Sequence, residues 1–467
     1  MNIFLREPFA ISATFVAAMV ISVLPSGCVV HEVDTVPLPA VKHSGEAKVS
    51  GSLESAGRGS KEVAGWWTGF QDETLNALVG ESLADNPDVR SLGRRIDQAN
   101  SRLIQAGSTL FPQIDGDGSF ESDWGRTGRR SDEASLGLDL NWELDFWGRI
   151  RSGRNARAEE VVVAREDWLA ARLLLTGSVA ETWYSIVEQR GQLKLVREQI
   201  DLSKTLLNLT RLRFGQGQSS VVDVRQQQEQ MQSTESLVPD IEFRIAELEL
   251  ALDTLTGSVP GSRNRIARSR FDSLPASPRT GYPSGLLLNR PDLRARRASI
   301  VALDHEIGEA IADCLPSITI SGSMALSGTP SLDRLVGDAI AGVTGPIFDA
   351  GNRKAEVALR RARVQEELDL YAADYLTAVQ EVETALVQER KLRERLQLQR
   401  SQLSTARRLL TESRSRYSQG VTDYLPVLDA LAKVQELERR ILSSQREQHS
   451  ARIALHLALG GPVPEPG

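Results

Sequence analysis

The chain repeats itself at an offset of 204 residues, and this repeat constrains its fold more than any other feature. Segment 86–90 reads Asn-Pro-Asp-Val-Arg, and segment 290–294 reads Arg-Pro-Asp-Leu-Arg. The further matches at the same offset are 110–112 with 314–316, 145 with 349, and 255–257 with 459–461. Since solenoid repeats have periods of roughly 20–50 residues, this spacing indicates the internal duplication of a whole structural unit.

The composition favours long helices over a rounded enzyme core. Aromatic residues make up only 5% of the chain, while Glu, Arg, Gln, Leu and Ala dominate the second half of each repeat. The net charge is −7, and acidic and basic residues are interleaved instead of forming one stripe. This charge pattern argues against nucleic acid as a partner.

The N-terminus carries a secretory signal. Residues 9–24 are uncharged and apolar, a run that is short for a membrane span and typical of a signal peptide. A Gly-Cys pair follows and resembles a bacterial lipoprotein signal, so we expect residues 1–27 to be removed and Cys28 to carry covalent lipid. The alternative is cleavage nearby, with Cys28 an incidental thiol. Residues 28–62, rich in Gly, Ser, Pro and Val, are expected to form a lipidated tether at the membrane surface.

Each repeat is predicted to contain an opening helix, a turn at Pro, two strands and a long helical hairpin. The boundaries are 63–257 for the first repeat, 258–285 for a linker, 286–461 for the second repeat and 462–467 for a tail. In the first repeat the opening helix is expected at 88–109. Apolar and polar residues alternate at 113–124 and 135–144, which predicts strands. The alternation is weaker at 318–322 and 335–343.

The helical hairpins are the clearest elements of the sequence. Residues 352–419 contain neither Gly nor Pro, which predicts a helix about 100 Å long at 1.5 Å per residue. Its counterpart is 154–214. The returning helices are expected at 221–256, with a kink at Pro239, and at 427–459.

Apolar residues recur every seventh position along both long helices. This heptad spacing predicts that helix packs against helix along a continuous seam. The positions are Val179, Ile186, Leu193, Ile200, Leu207 and Phe214 in the first helix, and Val382, Leu396, Leu403, Leu410 and Tyr417 in the second, where Glu389 is the one break.

The strand count makes a prediction about assembly. Two strands per repeat give four per chain, whereas small membrane barrels need about eight. An open sheet in lipid would leave backbone groups unpaired at a high cost, so the chain must oligomerise. Three copies would supply twelve strands. The alternative is a soluble coiled-coil rod with short β linkers.

Several motifs resemble a known family. Trp66-Trp67-x-x-Phe70, the segments 75–79 and 86–88, and the later segments 290–294, 315–316, 351–353 and 416–430 are similar, in order and spacing, to outer-membrane efflux lipoproteins of the NodT type, relatives of TolC. The resemblance covers roughly 60–461. It implies an α+β membrane protein that assembles as a homotrimer, with a transmembrane β-barrel in the outer membrane of a Gram-negative bacterium and a long antiparallel α-helical barrel across the periplasm. The implied partners are a periplasmic membrane-fusion adaptor, an inner-membrane pump of the RND type and outer-membrane lipid.

The resemblance also implies a gate at the tips of the two helical hairpins, near 214–225 (the first tip) and 417–430 (the second tip). Asp429 matches an inward acidic ring of the family, and Leu425 matches an apolar constriction. Three copies of Asp429 near an axis would favour cations. The alternative for Asp429 is a solvated acid near a helix start, stabilised by the amide dipoles.

Asp223 and Tyr417 also lie at the tips. They match family positions that hold neighbouring hairpins together through a hydrogen bond. Thr422 stands where TolC has a basic gate residue, so that salt link is not expected here. Gly217 and Gly420 are interpreted as turn residues with permissive dihedral angles.

The sequence contains no catalytic constellation. The five histidines show no metal-ligand spacing, and neither a Gly-Lys-Ser phosphate loop nor a Gly-x-Ser-x-Gly elbow occurs. We therefore expect no enzyme activity, no metal and no cofactor other than the lipid on Cys28. The predicted function is a passive, gated exit duct for small molecules in a tripartite efflux pump. The alternative is a periplasmic coiled-coil adaptor or structural lipoprotein without a pore.

Overall fold

The structure is a computed structural model that describes residues 31–33, 65–124, 130–262, 268, 270–277, 289–328 and 332–464. The predicted signal peptide 1–27, Cys28 and most of the tether 28–62 lie outside the described residues. The elements are a 3-10 turn at Trp66–Phe70, α1 (Glu73–Asp85), α2 (Pro87–Ser108), β1 (Gln113–Trp124), β2 (Arg130–Leu144), α3 (Arg149–Gly215), α4 (Val221–Glu235), α5 (Leu237–Leu255), α6 (Pro291–Ala312), β3 (Ser317–Gly328), β4 (Arg334–Thr344), α7 (Asn352–Ser418) and α8 (Leu425–Ala458).

The chain divides into two compact units. The strand unit comprises Met1–Ala40, Arg95–Ala164 and Ala295–Tyr371, and the hairpin unit comprises Val41–Arg94, Arg165–Arg294 and Ala372–Gly467. All four described strands lie in the strand unit. The turns that connect α3 to α4 and α7 to α8 lie in the hairpin unit.

The strand unit contains one antiparallel sheet with the strand order β1-β2-β3-β4. Its register places Gly116 beside Leu138, Leu138 beside Met324, and Met324 beside Gly337. Since directly paired residues share a face, the register defines two faces of opposite character. In the described part of the chain, β1 and β4 each pair on one side only.

One face of the sheet is apolar throughout its central part. Its members are Ile114, Gly116, Gly118 and Phe120 of β1, Leu136, Leu138, Leu140 and Trp142 of β2, Ile318, Ile320, Gly322, Met324 and Leu326 of β3, and Leu335, Gly337, Ala339, Ala341 and Val343 of β4. The opposite face is mainly polar and rich in acids, with Val336 and Ile340 of β4 as its large apolar residues. Its carboxylates are Asp115, Asp117, Glu121, Glu133, Asp139, Glu143 and Asp338, alongside Arg334.

The matched residues Asp145 and Asp349 have the same structural role. The Asp145 carboxylate accepts from the backbone N–H groups of Ile150 and Arg151, both at 2.9 Å. The Asp349 carboxylate accepts from those of Gly351, at 3.0 Å, and Arg353, at 3.2 Å. These backbone bonds lower the pKa of Asp349. Each aspartate therefore satisfies free amide groups where a long helix begins.

The Trp-Trp-x-x-Phe motif forms part of the hydrophobic core of the hairpin unit. Trp66, Trp67 and Phe70 pack with buried side chains of α1 and α3, including Leu75 and Trp183. Trp66 also stacks on His456 of α8, with ring centroids 5.3 Å apart. The motif therefore packs the segment 66–70 against the hairpin helices α3 and α8.

The heptad seam is buried along most of its length. Val179, Ile186, Ile200 and Leu207 of α3 are buried, but Phe214 is 47% exposed, so the prediction for the last seam position is wrong. Phe214 lies in the last turn of α3, where the described residues of the chain cover only about half of it. In α7 the predicted positions Val382, Leu396, Leu410 and Tyr417 are buried.

The first returning helix is interrupted, as predicted. α4 ends at Glu235 and α5 begins at Leu237, with Ser236 between them. Pro239 has no N–H to donate to the carbonyl of Glu235, four residues earlier, and its ring crowds that carbonyl. The interruption therefore lies three residues before the proline.

None of the helices in the described ranges combines the length and the apolar character that a membrane-crossing helix needs.

Candidate functional site at the hairpin tips

Both hairpin tips begin with the same backbone turn. In the first, Gly217 has φ +71° and Gln218 N donates to the Arg213 carbonyl at 2.9 Å. In the second, Gly420 has φ +76° and Val421 N donates to the Arg416 carbonyl at 3.0 Å. This is the Schellman arrangement, in which glycine takes the left-handed conformation and the last helical carbonyls are satisfied.

The first tip continues into a capping box at the start of α4. Asp223 N donates to Ser220 Oγ at 3.1 Å, and Ser220 N donates to Asp223 Oδ2 at 3.1 Å. The reciprocal pair fixes the Asp223 carboxylate relative to the backbone. Asp223 Oδ2 also accepts from the Ser219 hydroxyl at 2.8 Å.

The residues predicted to join the hairpins, Tyr417 and Asp223, are brought together through a third residue. The Tyr417 hydroxyl donates to Ser219 Oγ at 3.2 Å, and Ser219 in turn donates to Asp223. The predicted link between Tyr417 and Asp223 is therefore indirect, because the Ser219 hydroxyl lies between them and bonds to both. We call Tyr417, Ser219 and Asp223 the serine clasp.

A second contact joins the tips deeper in the hairpin unit. The Tyr424 hydroxyl donates to Gln227 Oε1, and Gln227 Nε2 donates to the Ser203 carbonyl at 3.1 Å. Tyr424 is 2% exposed and Gln227 is fully buried. Burial raises the pKa of Tyr424 to about 12, so its hydroxyl stays protonated and able to donate. We call Tyr424, Gln227 and Ser203 the glutamine clasp.

Arg213 positions the ring of Tyr417. Its guanidinium lies 4.6 Å from the ring centroid and donates to the carbonyls of Tyr417 and Ser418, both at 3.4 Å. A cation over an aromatic face is an attractive contact. The Tyr417 ring also lies 5.0 Å from the Tyr424 ring, so the two clasps are adjacent.

The predicted gate residues Asp429 and Leu425 lie on one face of α8, one helical turn apart, and both are exposed. Leu425 is 50% exposed. The Asp429 side chain makes no hydrogen bond or ion pair with the other described residues. Thr422 keeps its hydroxyl buried without a hydrogen-bond partner in the described part of the chain.

Sequence reasoning missed Ser219, Gln227, Tyr424 and Arg213 as contact residues. The Ser-x-x-Asp spacing of 220 to 223 was a readable sign of a capping box and would have predicted how Asp223 is held. The partners of Tyr417 and Tyr424 lie about 200 residues away, and no local pattern reveals such pairs.

No group of three or more His, Cys, Asp or Glu side chains that could hold a metal ion occurs in the ranges that the structure describes. Cys314 is a free, half-buried thiol within that part of the chain.

A sheet with one apolar face and one mainly polar, acid-rich face, in a chain with long paired helices, is typical of a membrane-inserted channel protein of mixed α and β structure. The family of outer membrane efflux proteins matches residues 78–258 and 282–461, and the chain belongs to this family.

Relatives over most of the chain have export functions. The pyoverdine export outer membrane protein OpmQ of Pseudomonas putida is 27% identical over 415 residues, which cover 85% of this chain and 87% of that protein. The cation efflux system protein CusC of Escherichia coli K12 is 26% identical over 406 residues, covering 85% and 89%.

Solved structures agree. A crystal structure of CusC is similar with a TM-score of 0.77 at 26% identity, covering 86% of this chain and 96% of that one. The outer-membrane channel OprN gives a TM-score of 0.81 at 25% identity, covering 93% and 99%. The open state of MtrE from Neisseria gonorrhoeae, 23% identical with a TM-score of 0.81, shows the same fold.

The chain is therefore the outer-membrane channel of a tripartite efflux pump in a Gram-negative bacterium, located in the outer membrane and extending into the periplasm. Membership of this family argues against the alternative interpretation, a periplasmic coiled-coil protein without a pore.

Proposed function

We propose that three copies of this chain form a passive, gated exit duct. The observation that carries the proposal is the sheet, whose edge strands β1 and β4 each lack a second neighbour in the described part of the chain. In lipid the unpaired edges would be prohibitively costly, so each edge pairs with the opposite edge of another copy. The apolar face then contacts lipid and the acidic face lines the lumen.

The duplication makes the wall of the duct nearly sixfold. The two family matches begin at residues 78 and 282, at the offset of 204 that relates the sequence motifs. Each repeat contributes two strands and one long helix with its return, in the same order. Three chains with two such repeats each therefore give six similar sectors and twelve strands.

The gate is the second hairpin tip of each chain. Asp429 and Leu425 are exposed together on one face of α8, so three copies place a ring of carboxylates beside a ring of leucines. Closely spaced carboxylates concentrate a negative potential and attract cations, and an apolar ring hinders the passage of water and ions. The duct needs no catalytic residue or cofactor, since the energy comes from an inner-membrane pump of the RND type through a periplasmic adaptor.

Lipid on Cys28 anchors the mature N-terminus in the outer membrane. His31 lies three residues later, and its Nε2 is 3.1 Å from Asp304 Oδ1 of α6 in the strand unit. This contact holds His31 on the unit that carries the sheet, which supports a lipid anchor on the same unit.

Single-channel recording in planar bilayers tests the gate. The double variant Asp429→Ala/Leu425→Ala should conduct more than the wild type, because both rings that narrow the tip are removed. The matched control is Asp240→Ala, which removes one exposed carboxylate from α5, far from the tip in sequence. Equal conductance of all three proteins would refute the gate assignment.

A further inference from the structure

A cavity lies between the acid-rich face of the sheet and the helices that adjoin it in the strand unit. Its volume is about 630 Å³, within the roughly 300–1,000 Å³ that is usual for small-molecule sites. Asp115 and Asn141 contribute from the sheet, and α2, α3 and α6 supply the other walls. Its lining residues all belong to the strand unit, so one compact unit of a single chain builds the cavity.

Most of the charged groups in the cavity wall already have ionic partners. The Glu143 carboxylate accepts two hydrogen bonds from the Arg149 guanidinium, at 3.0 and 2.7 Å. The other paired wall residues bond to side chains outside the cavity, Glu306 to Arg360 and Arg157 to Glu160. These groups are satisfied within the chain and have little to gain from a ligand.

Three charged wall residues make no hydrogen bond or ion pair with the other described side chains: Asp115, Arg154 and Glu309. Asp115 and Arg154 are exposed, whereas Glu309 is half-buried. Burial raises the pKa of Glu309, and repulsion from Asp313 on the same helix adds to the rise. A cationic group placed beside the Glu309 carboxylate would relieve both effects.

Two glycines make room for the unpaired groups at the cavity wall. A Cβ built on Gly153 of α3 would lie 3.4 Å from the carboxyl carbon and both carboxyl oxygens of Glu309. A Cβ built on Gly107 of α2 would lie 3.5 Å from Arg154 Nε. The carboxylate and the guanidinium therefore lie at separate places in the wall, one beside α3 and the other beside α2.

The cavity also has an apolar surface. Phe111, between α2 and β1, is 68% exposed, and the buried Ile150 lies in the same wall. Small-molecule sites combine such apolar contact area with a few polar groups that fix the orientation of the ligand.

We propose that this cavity binds a small zwitterion with an apolar body. Glu309 receives its ammonium group, Arg154 receives its carboxylate, and Phe111 contacts its body. Asp115 adds a second negative charge that favours the ammonium group. The inference rests on the proposed duct, because the acid-rich face lines the lumen there and the bound zwitterion is then a molecule in transit.

Saturation-transfer difference NMR of the full-length protein in deuterated detergent tests the charge requirement, with L-phenylalanine as the probe. L-phenylalanine should bind saturably. The analogues 2-phenylethylamine, which lacks the carboxylate, and 3-phenylpropionate, which lacks the ammonium group, should each bind about tenfold more weakly, because each loses one charge-assisted contact. Equal binding of all three probes by the wild type would overturn the proposal.

Two variants assign the contacts. Glu309→Gln should weaken L-phenylalanine binding about tenfold without weakening that of 3-phenylpropionate, which has no ammonium group to lose a partner. Arg154→Met should weaken L-phenylalanine binding similarly without weakening that of 2-phenylethylamine.

Two matched controls remove exposed charges of the strand unit outside the cavity. Glu366→Gln of α7 and Arg102→Met of α2 should bind all three probes as the wild type does. Helical circular dichroism should show the same unfolding midpoint for all four variants. An equal loss of binding in the controls would show that general charge, not this cavity, attracts the probes, and would overturn the site.

Planar-bilayer recording of the same preparations separates this inference from the proposed duct. Wild-type protein that forms pores but shows no saturable binding of L-phenylalanine would reject the site and keep the duct. Protein that forms no pores would reject the duct and, with it, the assignment of the zwitterion as a molecule in transit.

Discussion

Glu389 of α7 and Arg452 of α8 form a buried two-bonded ion pair in the hairpin unit. Arg452 Nη2 lies 2.6 Å from Glu389 Oε1, and Arg452 Nε lies 3.1 Å from Oε2. The Arg452 side chain is only 1% exposed, and the Glu389 side chain is 6% exposed. Arg393 adds a third donor to Glu389 at 2.8 Å, and Arg452 also donates to the Pro275 carbonyl. The one polar break in the heptad seam is therefore an internal link between two helices.

This pair predicts a large, asymmetric effect of mutation. Arg452→Met leaves the Glu389 carboxylate buried with only Arg393 as an ionic partner, which should destabilise the hairpin unit by about 3–5 kcal/mol. Glu389→Leu/Arg452→Met removes both charges and should recover most of that loss. Denaturant unfolding followed by helical circular dichroism measures both variants. A double variant no more stable than Arg452→Met alone would contradict the buried-charge explanation.

Stability should fall as the pH drops below neutral because of His456. Burial, with a smaller effect of the nearby Arg452, lowers the pKa of His456 to about 4, and burial also lowers the pKa of His449. An unfolded histidine has a pKa near 6.5, so between about pH 6.5 and 4 the unfolded chain binds more protons than the folded one. The histidine contribution is therefore fully present above pH 6.5 and is lost towards pH 4.

Unfolding midpoints measured at several pH values test this contribution. The His456→Gln variant cannot titrate and should show a flatter dependence between pH 6.5 and 4 than the wild type. The pH dependence of stability that remains in that variant should come partly from His449, whose pKa is also lowered by burial. Identical slopes for wild type and His456→Gln would show that His456 does not control this pH dependence.

Replacing the tip glycines Gly217 and Gly420 should destabilise the tips because of backbone conformation alone. A Cβ on Gly217 or Gly420 would meet no atom within 4 Å, but both residues have positive φ. Gly217→Ala should cost about 1 kcal/mol and speed amide exchange at the first tip, because alanine is strained in the left-handed region. Gly215→Ala is the matched control: it is helical and open, so it should be neutral or slightly stabilising. Equal exchange in both variants would contradict the requirement for positive φ.

Local patterns predicted the regular elements well. The alternation at 113–124 matches β1 at both ends, and the absence of Gly and Pro from 352–419 predicted α7 to within one residue. β2 is longer than predicted, since it begins at Arg130 instead of 135. Its added residues pair with the outer half of β1, and this pairing, not their own alternation, places them in the strand.

The contacts of the tips were less accessible to sequence reasoning. Glu389 was visible only as a break in the seam, because its partner Arg452 follows 63 residues later on another helix. The same holds for Ser219, which no periodic pattern marks and which becomes meaningful only when Tyr417 is placed beside it. Periodicity reveals which face of a helix is buried, but not which polar side chains meet across two hairpins.

Assembly is the central claim, and native mass spectrometry of the protein extracted from outer membranes in mild detergent tests it most directly. Because β1 and β4 each pair on one side only within the described residues, we predict a species of three chains, each derived from a polypeptide of 51.2 kDa. The same preparation should form ion-conducting pores in planar bilayers. A monomer as the predominant species in preparations that form pores would contradict the account.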